Sequence, residues 1–68
     1  MKLSARNQYE GTVVNVEVGP VSSKVVLDIG GGKTISSTIS TDSFKELDIK
    51  AGDKLVAIVK ATSVILGK

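Results

Sequence analysis

The sequence contains no cysteine, no histidine and no tryptophan, and its only aromatic residues are Tyr9 and Phe44. Without cysteine or histidine, the chain has no disulfide, no thiol nucleophile, no imidazole base and no ligand set for structural zinc. Aromatic residues make up 3% of the chain and hydrophobic residues 41%. The core must therefore be built from valine, isoleucine, leucine and alanine, in a chain whose hydrophobic fraction is that of an ordered protein.

The length of 68 residues predicts a single domain spanning residues 1–68. A domain of this size buries little apolar surface, and disulfides, a structural metal or self-association usually compensate. The composition excludes the first two. We therefore expect an obligate oligomer.

Charge is balanced and spread along the chain, with nine basic and seven acidic residues and a formal net charge of +2. Such a chain lacks the basic block of a non-specific nucleic-acid-binding protein. No long apolar run follows the N-terminal charges, and no stretch approaches the roughly 18 apolar residues of a membrane span. We expect a cytoplasmic protein with neither nucleic acid nor membrane as a partner.

Alternation of apolar and polar residues predicts three strands in the first part of the chain. The first covers residues 8–18 and should bulge or bend at Gly11. The second starts at Ser22, and residues 34–40 form the third, after a hairpin of three glycines that accept positive φ. The expected inward residues of the three strands are Val14, Val16 and Val18, then Val25, Leu27 and Ile29, then Ile35 and Ile39.

The period changes at residues 41–47, where Phe44 and Leu47 lie three apart and predict a helix of about two turns, capped by Ser40 or Thr41. After a turn at residues 50–53, strands are predicted at residues 55–59 and 64–66. Both are apolar on two faces, so another subunit should cover the second face. The predicted fold class is all-β with one short helix, a small five-stranded OB-like barrel.

Two patterns in the sequence resemble a phosphate-binding loop and a set of catalytic groups, and neither fits well. The run Gly30 to Thr34 resembles the end of a phosphate-binding loop. That motif requires a glycine at the position that Leu27 occupies and a helix after the threonine, whereas a strand is predicted after Thr34. A hairpin turn is the better interpretation. The seven carboxylates lie in predicted turns, helix or solvent faces, and a nucleophilic serine would find no histidine base. We predict no enzymatic activity and no catalytic cofactor.

Residues 4–7 and 60–63 each combine a fixed positive charge with hydroxyl donors and small residues that let backbone amides approach a ligand. A dianion taken out of water needs such charge neutralisation and a full shell of donors. From the residues alone, Arg6 could equally be a plain surface charge, and Lys60 could simply extend its charge into solvent from a strand end.

The chain resembles molbindins, which are molybdenum-pterin-binding proteins made of one molybdate-binding TOBE-type domain. The resemblance covers essentially the whole sequence and is most specific in the pairing of two motifs at its ends. It rests on the segments Ser4-Ala5-Arg6-Asn7-Gln8, Gly11, Val13-Val14, Val25-Val26-Leu27, Ile39-Ser40, Glu46-Leu47, Gly52 and Val59-Lys60-Ala61-Thr62-Ser63-Val64.

The resemblance implies a homohexamer, a trimer of dimers, that binds molybdate or tungstate at its subunit interfaces for intracellular molybdenum storage. A first class of site would combine the N-terminal motif of one subunit with the C-terminal motif of its neighbour. Its residues would be Ser4, Ala5, Arg6, Lys60, Ala61, Thr62 and Ser63. A second class, near the three-fold axis, would use Gly19, Val21 and Ser22, and an ordinary turn remains an equal alternative there. The metal would arrive inside its oxyanion, with no direct protein ligand.

Two other functions stay open. An OB-type barrel often binds single-stranded nucleic acid, but such modules need exposed aromatic residues and a basic groove, and this chain offers only Tyr9 and Phe44. A purely structural interaction domain would share the oligomer and bind no anion.

Overall fold

The computed structural model describes residue 4 and residues 6–68, which form an antiparallel sheet and one short helix. The four strands lie in the order β3-β2-β1-β4 in a curled sheet, so the fold is a half-barrel. A short 3-10 turn follows β4. The elements are β1 (Asn7–Val18), β2 (Ser22–Gly30), β3 (Lys33–Ser40), the helix α1 (Thr41–Glu46), β4 (Lys54–Val59) and the 3-10 turn (Ala61–Ser63).

The inward face of β1 differs from the prediction. Val13 is buried, whereas Val14 is 52% exposed, because the pairing with β2 shifts between Val13 and Asn15. Val14 is the extra residue of a β-bulge, and such a residue breaks the alternation. Val16 then faces inward, as predicted, whereas the prediction for Val18 is wrong, since it is 59% exposed. The bulge lies at Val14 and not at Gly11.

Gly11 has a different role, because β2 crosses it closely. An added Cβ would lie 3.0 Å from the carbonyl oxygen of Asp28 and 3.0 Å from Cβ of Leu27. The first neighbour is backbone and cannot move aside without shifting the β2 strand.

Gly11→Ala is therefore expected to lower the free energy of unfolding by about 1–3 kcal/mol, the usual cost of overpacking. Urea denaturation of the two proteins measures it. Gly67→Ala is the matched control, since a Cβ there meets nothing within 4 Å. Equal stability of both variants would contradict the close approach.

The core lies on the concave face of the sheet. Its buried hydrophobic residues are Val13, Val25, Leu27 and Ile49. Phe44 of α1 packs against them, as its place in the helix predicted. Ser40 caps the start of the helix, as predicted, and its hydroxyl accepts a hydrogen bond from the N–H of Ser43 at 3.0 Å.

Turn chemistry also agrees with the sequence. The last residue of β2, Gly30, and the two glycines that join it to β3 all have positive φ, from 63° to 93°. The predicted turn at residues 50–53 is closed by a bond from the N–H of Asp53 to the carbonyl of Lys50, and the Asp53 carboxylate accepts the N–H of Lys50.

The predicted fifth strand at residues 64–66 is absent from the described structure, which has four strands where five were expected. Ile65 and Leu66 are 92% and 89% exposed beyond the 3-10 turn. A strand needs an edge to pair with, and neither β3 nor β4 pairs with this segment. The barrel is consequently open along the edges of β3 and β4, and Val56 and Ile58 on the second face of β4 remain exposed.

Candidate functional site

The two charged motifs meet at one end of the sheet. Strands β1 and β4 are antiparallel, and their register pairs Asn7 with Val59. Arg6 immediately precedes one member of this pair and Lys60 immediately follows the other. The fold thus brings two cations, which lie near opposite ends of the sequence, to the same end of the sheet.

The C-terminal motif presents several hydrogen-bond donors. Lys60 has extended backbone angles and leads into the 3-10 turn, which uses the N–H groups of Ser63 and Val64. The N–H groups of Ala61 and Thr62 precede the first turn bond, as at every helical N-terminus, and have no acceptor within the described part of the chain. The hydroxyls of Thr62 and Ser63 are exposed as well.

The N-terminal motif adds a guanidinium and a hydroxyl to the same end. Ser4 and Arg6 are exposed, and Ala5 lies outside the described residues. Among residues 4 and 6–68 the single ion pair joins Lys50 to Asp48 at 3.3 Å. The charges of Arg6 and Lys60 are therefore not neutralised by a carboxylate of the described chain, and two adjacent cations attract an anion.

A second group of predicted site residues lies at the other end of β1. The turn from Gly19 to Ser22 joins β1 to β2, and the N–H of Gly19 donates to the carbonyl of Ser22 at 3.1 Å. This amide is already used within the chain. Val21 is 80% exposed, and its N–H and the Ser22 hydroxyl have no partner in the described residues.

The remaining candidates have structural explanations. The Gly30 to Thr34 run is a hairpin turn followed by β3, as predicted, and the Asp28 carboxylate accepts the N–H of Gly30 at 2.8 Å. In the described chain no three acidic residues gather into a possible metal site. Tyr9 is partly exposed but stands without a second exposed aromatic beside it, since Phe44 packs on the core.

Sequence reasoning missed one polar feature, the buried pair Ser23 and Thr41. Serine and threonine are common on strand surfaces and at helix starts, so their composition gave no signal. The alternation along β2 could have indicated the burial of Ser23, because this residue lies on the same face of the strand as Val25 and Leu27.

No helix in the part of the chain that the structure describes has the length and hydropathy needed to cross a bilayer.

Comparison with known proteins gives one consistent result. The TOBE domain model matches residues 3–66. A probable molybdenum-pterin-binding protein of Haemophilus influenzae is 52% identical over 98% of this chain and 97% of its own length. Proteins so named are binding proteins rather than enzymes.

Solved structures agree. A molybdate-binding protein from Sporomusa ovata superimposes with a TM-score of 0.93 at 41% identity, over 100% of both chains. The cytoplasmic molybdate-binding protein ModG, in a form with molybdate bound, gives a TM-score of 0.85 at 39% identity, over 90% of this chain and 43% of that one.

Proposed function

The chain belongs to the TOBE-domain family, together with relatives named for molybdenum-pterin binding, and from this premise we propose that it binds molybdate or tungstate as intact oxyanions. The observation that carries the proposal is the pairing of Asn7 with Val59. It brings Arg6 and Lys60 to one end of the sheet, where no carboxylate of the described residues pairs with either cation. Both ligands are tetrahedral dianions, so two fixed positive charges match their charge.

The first site in this proposal uses charge and directional donors together. Arg6 and Lys60 neutralise the dianion, and the hydroxyls of Ser4, Thr62 and Ser63 and the N–H groups of Ala5 and Ala61 bond to its oxygens. The N–H of Thr62, which is also free within the described residues, adds a donor that the motif alone did not single out. The metal itself touches no protein atom.

The second site in this proposal lies at the Gly19 to Ser22 turn. Because the N–H of Gly19 donates to Ser22, the donors there are the N–H of Val21 and the Ser22 hydroxyl. Gly19 contributes by shaping the turn.

The oligomer in this proposal is a homohexamer, a trimer of dimers, with the first class of site at its subunit interfaces. Support comes from surfaces that a single chain leaves open. The concavity between β3 and β4, about 710 Å³ in volume and bordered by Lys60 and Ser63, is lined largely by apolar side chains. The apolar residues Ile65 and Leu66 are almost fully exposed. A neighbour that covers this concavity would contact the chain beside Lys60 and Ser63.

The physiological role in this proposal is storage of molybdenum in the cytoplasm as a reversible oxyanion complex. The chain has no thiol that could reduce the bound metal and no imidazole that could transfer protons to it, so the cargo is held unchanged. The structural similarity to a protein described as cytoplasmic and molybdate-binding supports the location and the ligand in this proposal.

Selectivity over sulfate is the first expected result. Molybdate, tungstate and sulfate share charge and shape, so a site that fits the larger ions discriminates by size. Hydrogen phosphate differs because it carries a proton, and a site of donors offers that proton no acceptor.

Equilibrium dialysis against molybdate with excess sulfate, with molybdenum read by elemental mass spectrometry and assembly by light scattering, tests the proposal. Molybdenum should remain on the oligomer, and tungstate should displace it. Sulfate that competes equally would contradict the size argument. An intact oligomer without molybdenum would contradict the proposed function and leave a structural or nucleic-acid-binding module.

A further inference from the structure

Beneath the Gly19 to Ser22 turn lies a buried chain of hydroxyl groups. Ser23 and Thr41 are 1% and 5% exposed, and their hydroxyl oxygens are 2.8 Å apart. The Thr41 hydroxyl donates to the carbonyl of Gly19 at 2.7 Å. Since Thr41 has one hydroxyl proton, the Ser23 hydroxyl must be the donor of the bond between them.

Thr41 holds the turn at two points. Its hydroxyl binds the carbonyl of Gly19, and its N–H binds the carbonyl of Val21 at 2.9 Å. A peptide group is planar, so the direction of its carbonyl restricts the orientation of the whole group. Fixing these two carbonyls therefore fixes the planes of the peptides that follow Gly19 and Val21.

The residue between them has little freedom of its own, because the ring of Pro20 fixes its φ. The N–H of Gly19 donates to Ser22 and closes the hairpin. Two donors of this turn have no partner in the described residues, the N–H of Val21 and the hydroxyl of Ser22. The Val21 N–H lies in the peptide between the two held carbonyls, and Ser22 follows the second, so the backbone that carries both donors is restrained before any ligand arrives. Preorganised donors lose less entropy when they bind.

An exposed turn does not require a buried hydroxyl chain for its stability. Burying a hydroxyl costs free energy that its hydrogen bond only offsets, so an apolar pair in place of Ser23 and Thr41 would be nearly neutral for stability. Thr41 lies under a turn whose Val21 N–H and Ser22 hydroxyl have no partner in the described residues, and this position indicates a use in binding.

We propose that Thr41 is a positioning residue of the second oxyanion site, which holds the Gly19 to Ser22 turn so that Val21 N–H and the Ser22 hydroxyl face the anion. This inference rests on the proposed function, because it concerns the second of the two site classes. Thr41 itself does not touch the ligand.

Molybdate titration of the assembled protein tests this role, with stoichiometry and affinity read by calorimetry. Thr41→Val removes the hydroxyl and keeps the N–H, and it should weaken the second class of site by about tenfold or more while the first class is unchanged. Thr41→Ser, which restores the hydroxyl, should recover both classes. Thr41→Ala replaces the valine variant should that chain not fold.

Ser23→Ala is the matched control. It removes the other buried hydroxyl but leaves the bond from Thr41 to Gly19, so it should lower thermal stability and keep both classes of site. Unchanged second-class binding in Thr41→Val, or equal loss in Ser23→Ala, would overturn the positioning role while the proposed function stands. A parent protein that binds no molybdate would overturn both.

Discussion

Replacing Arg6 or Lys60 by alanine is expected to remove molybdate from the first class of site while the oligomer stays assembled. Each substitution deletes one of the two fixed charges at the end of the sheet where Asn7 pairs with Val59. Hydrogen bonds to charged groups contribute about 1.5–3 kcal/mol each, which corresponds to a loss of roughly tenfold to a hundredfold in affinity. A dianion partly removed from water would then be left with half of its counter-charge.

The free protein should tolerate both changes. Arg6 and Lys60 are exposed and belong to no ion pair within the described residues. Substitutions at such positions usually change the free energy of unfolding by less than about 0.5 kcal/mol. Dialysis against molybdate and light scattering on the same samples separate the loss of binding from a loss of assembly.

Lys50→Ala is the matched control for charge. It also removes one exposed cation, but that cation pairs with Asp48, in the loop between α1 and β4. Molybdate affinity should be unchanged in this variant. If Arg6→Ala and Lys60→Ala bind like the parent, the site has been assigned to the wrong residues.

A mixture of the two variants reveals how the site is shared between chains. If Arg6 of one subunit and Lys60 of its neighbour form one site, refolding the variants together creates some complete sites, and part of the molybdate binding returns. We expect this recovery. Its absence would place both residues of each site in one chain, as the register of β1 and β4 also permits, and would contradict the interface assignment.

Replacing Ile65 and Leu66 together by serine is expected to separate the oligomer into smaller species. These side chains are almost fully exposed in the single chain. Burying each against a neighbour would contribute about 1.5–3 kcal/mol per contact, and a closed symmetric assembly repeats the contact at every equivalent interface. Light scattering across a dilution series measures the change.

Lys68→Ser is the control for this prediction, because it alters the same exposed segment without removing apolar surface. Its assembly should match that of the parent. An unchanged mass for the Ile65 and Leu66 variant would show that this segment is not part of the interface.

Local signals in the sequence predicted most of the fold. The glycine hairpin, the Ser40 cap and the inward residues of β2 follow from φ preferences, capping chemistry and alternation over short distances. The bulge was misplaced because Val13 and Val14 are the same residue type, and only the pairing with β2 decides which one is extra.

Features that depend on distant partners were harder to predict. Residues 64–66 have strand-like composition, but composition supplies no edge to pair with. The charged motifs were identifiable as donors, whereas their meeting at one edge depends on the register of β1 with β4. The Thr41 contact with Gly19 likewise joins segments that spacing alone does not connect.

Because β4 is an edge strand, oxyanion binding is expected to affect how readily its backbone amides open. β4 pairs with β1 alone, so its amides are the ones that open when this side of the sheet frays. An anion held between Lys60 of one subunit and Arg6 of its neighbour would tie the last residues of β4 in one chain to the first residues of β1 in the other. The bound oxyanion then restrains the end of β4, and amide hydrogen exchange along this strand slows as the fraction of occupied sites rises.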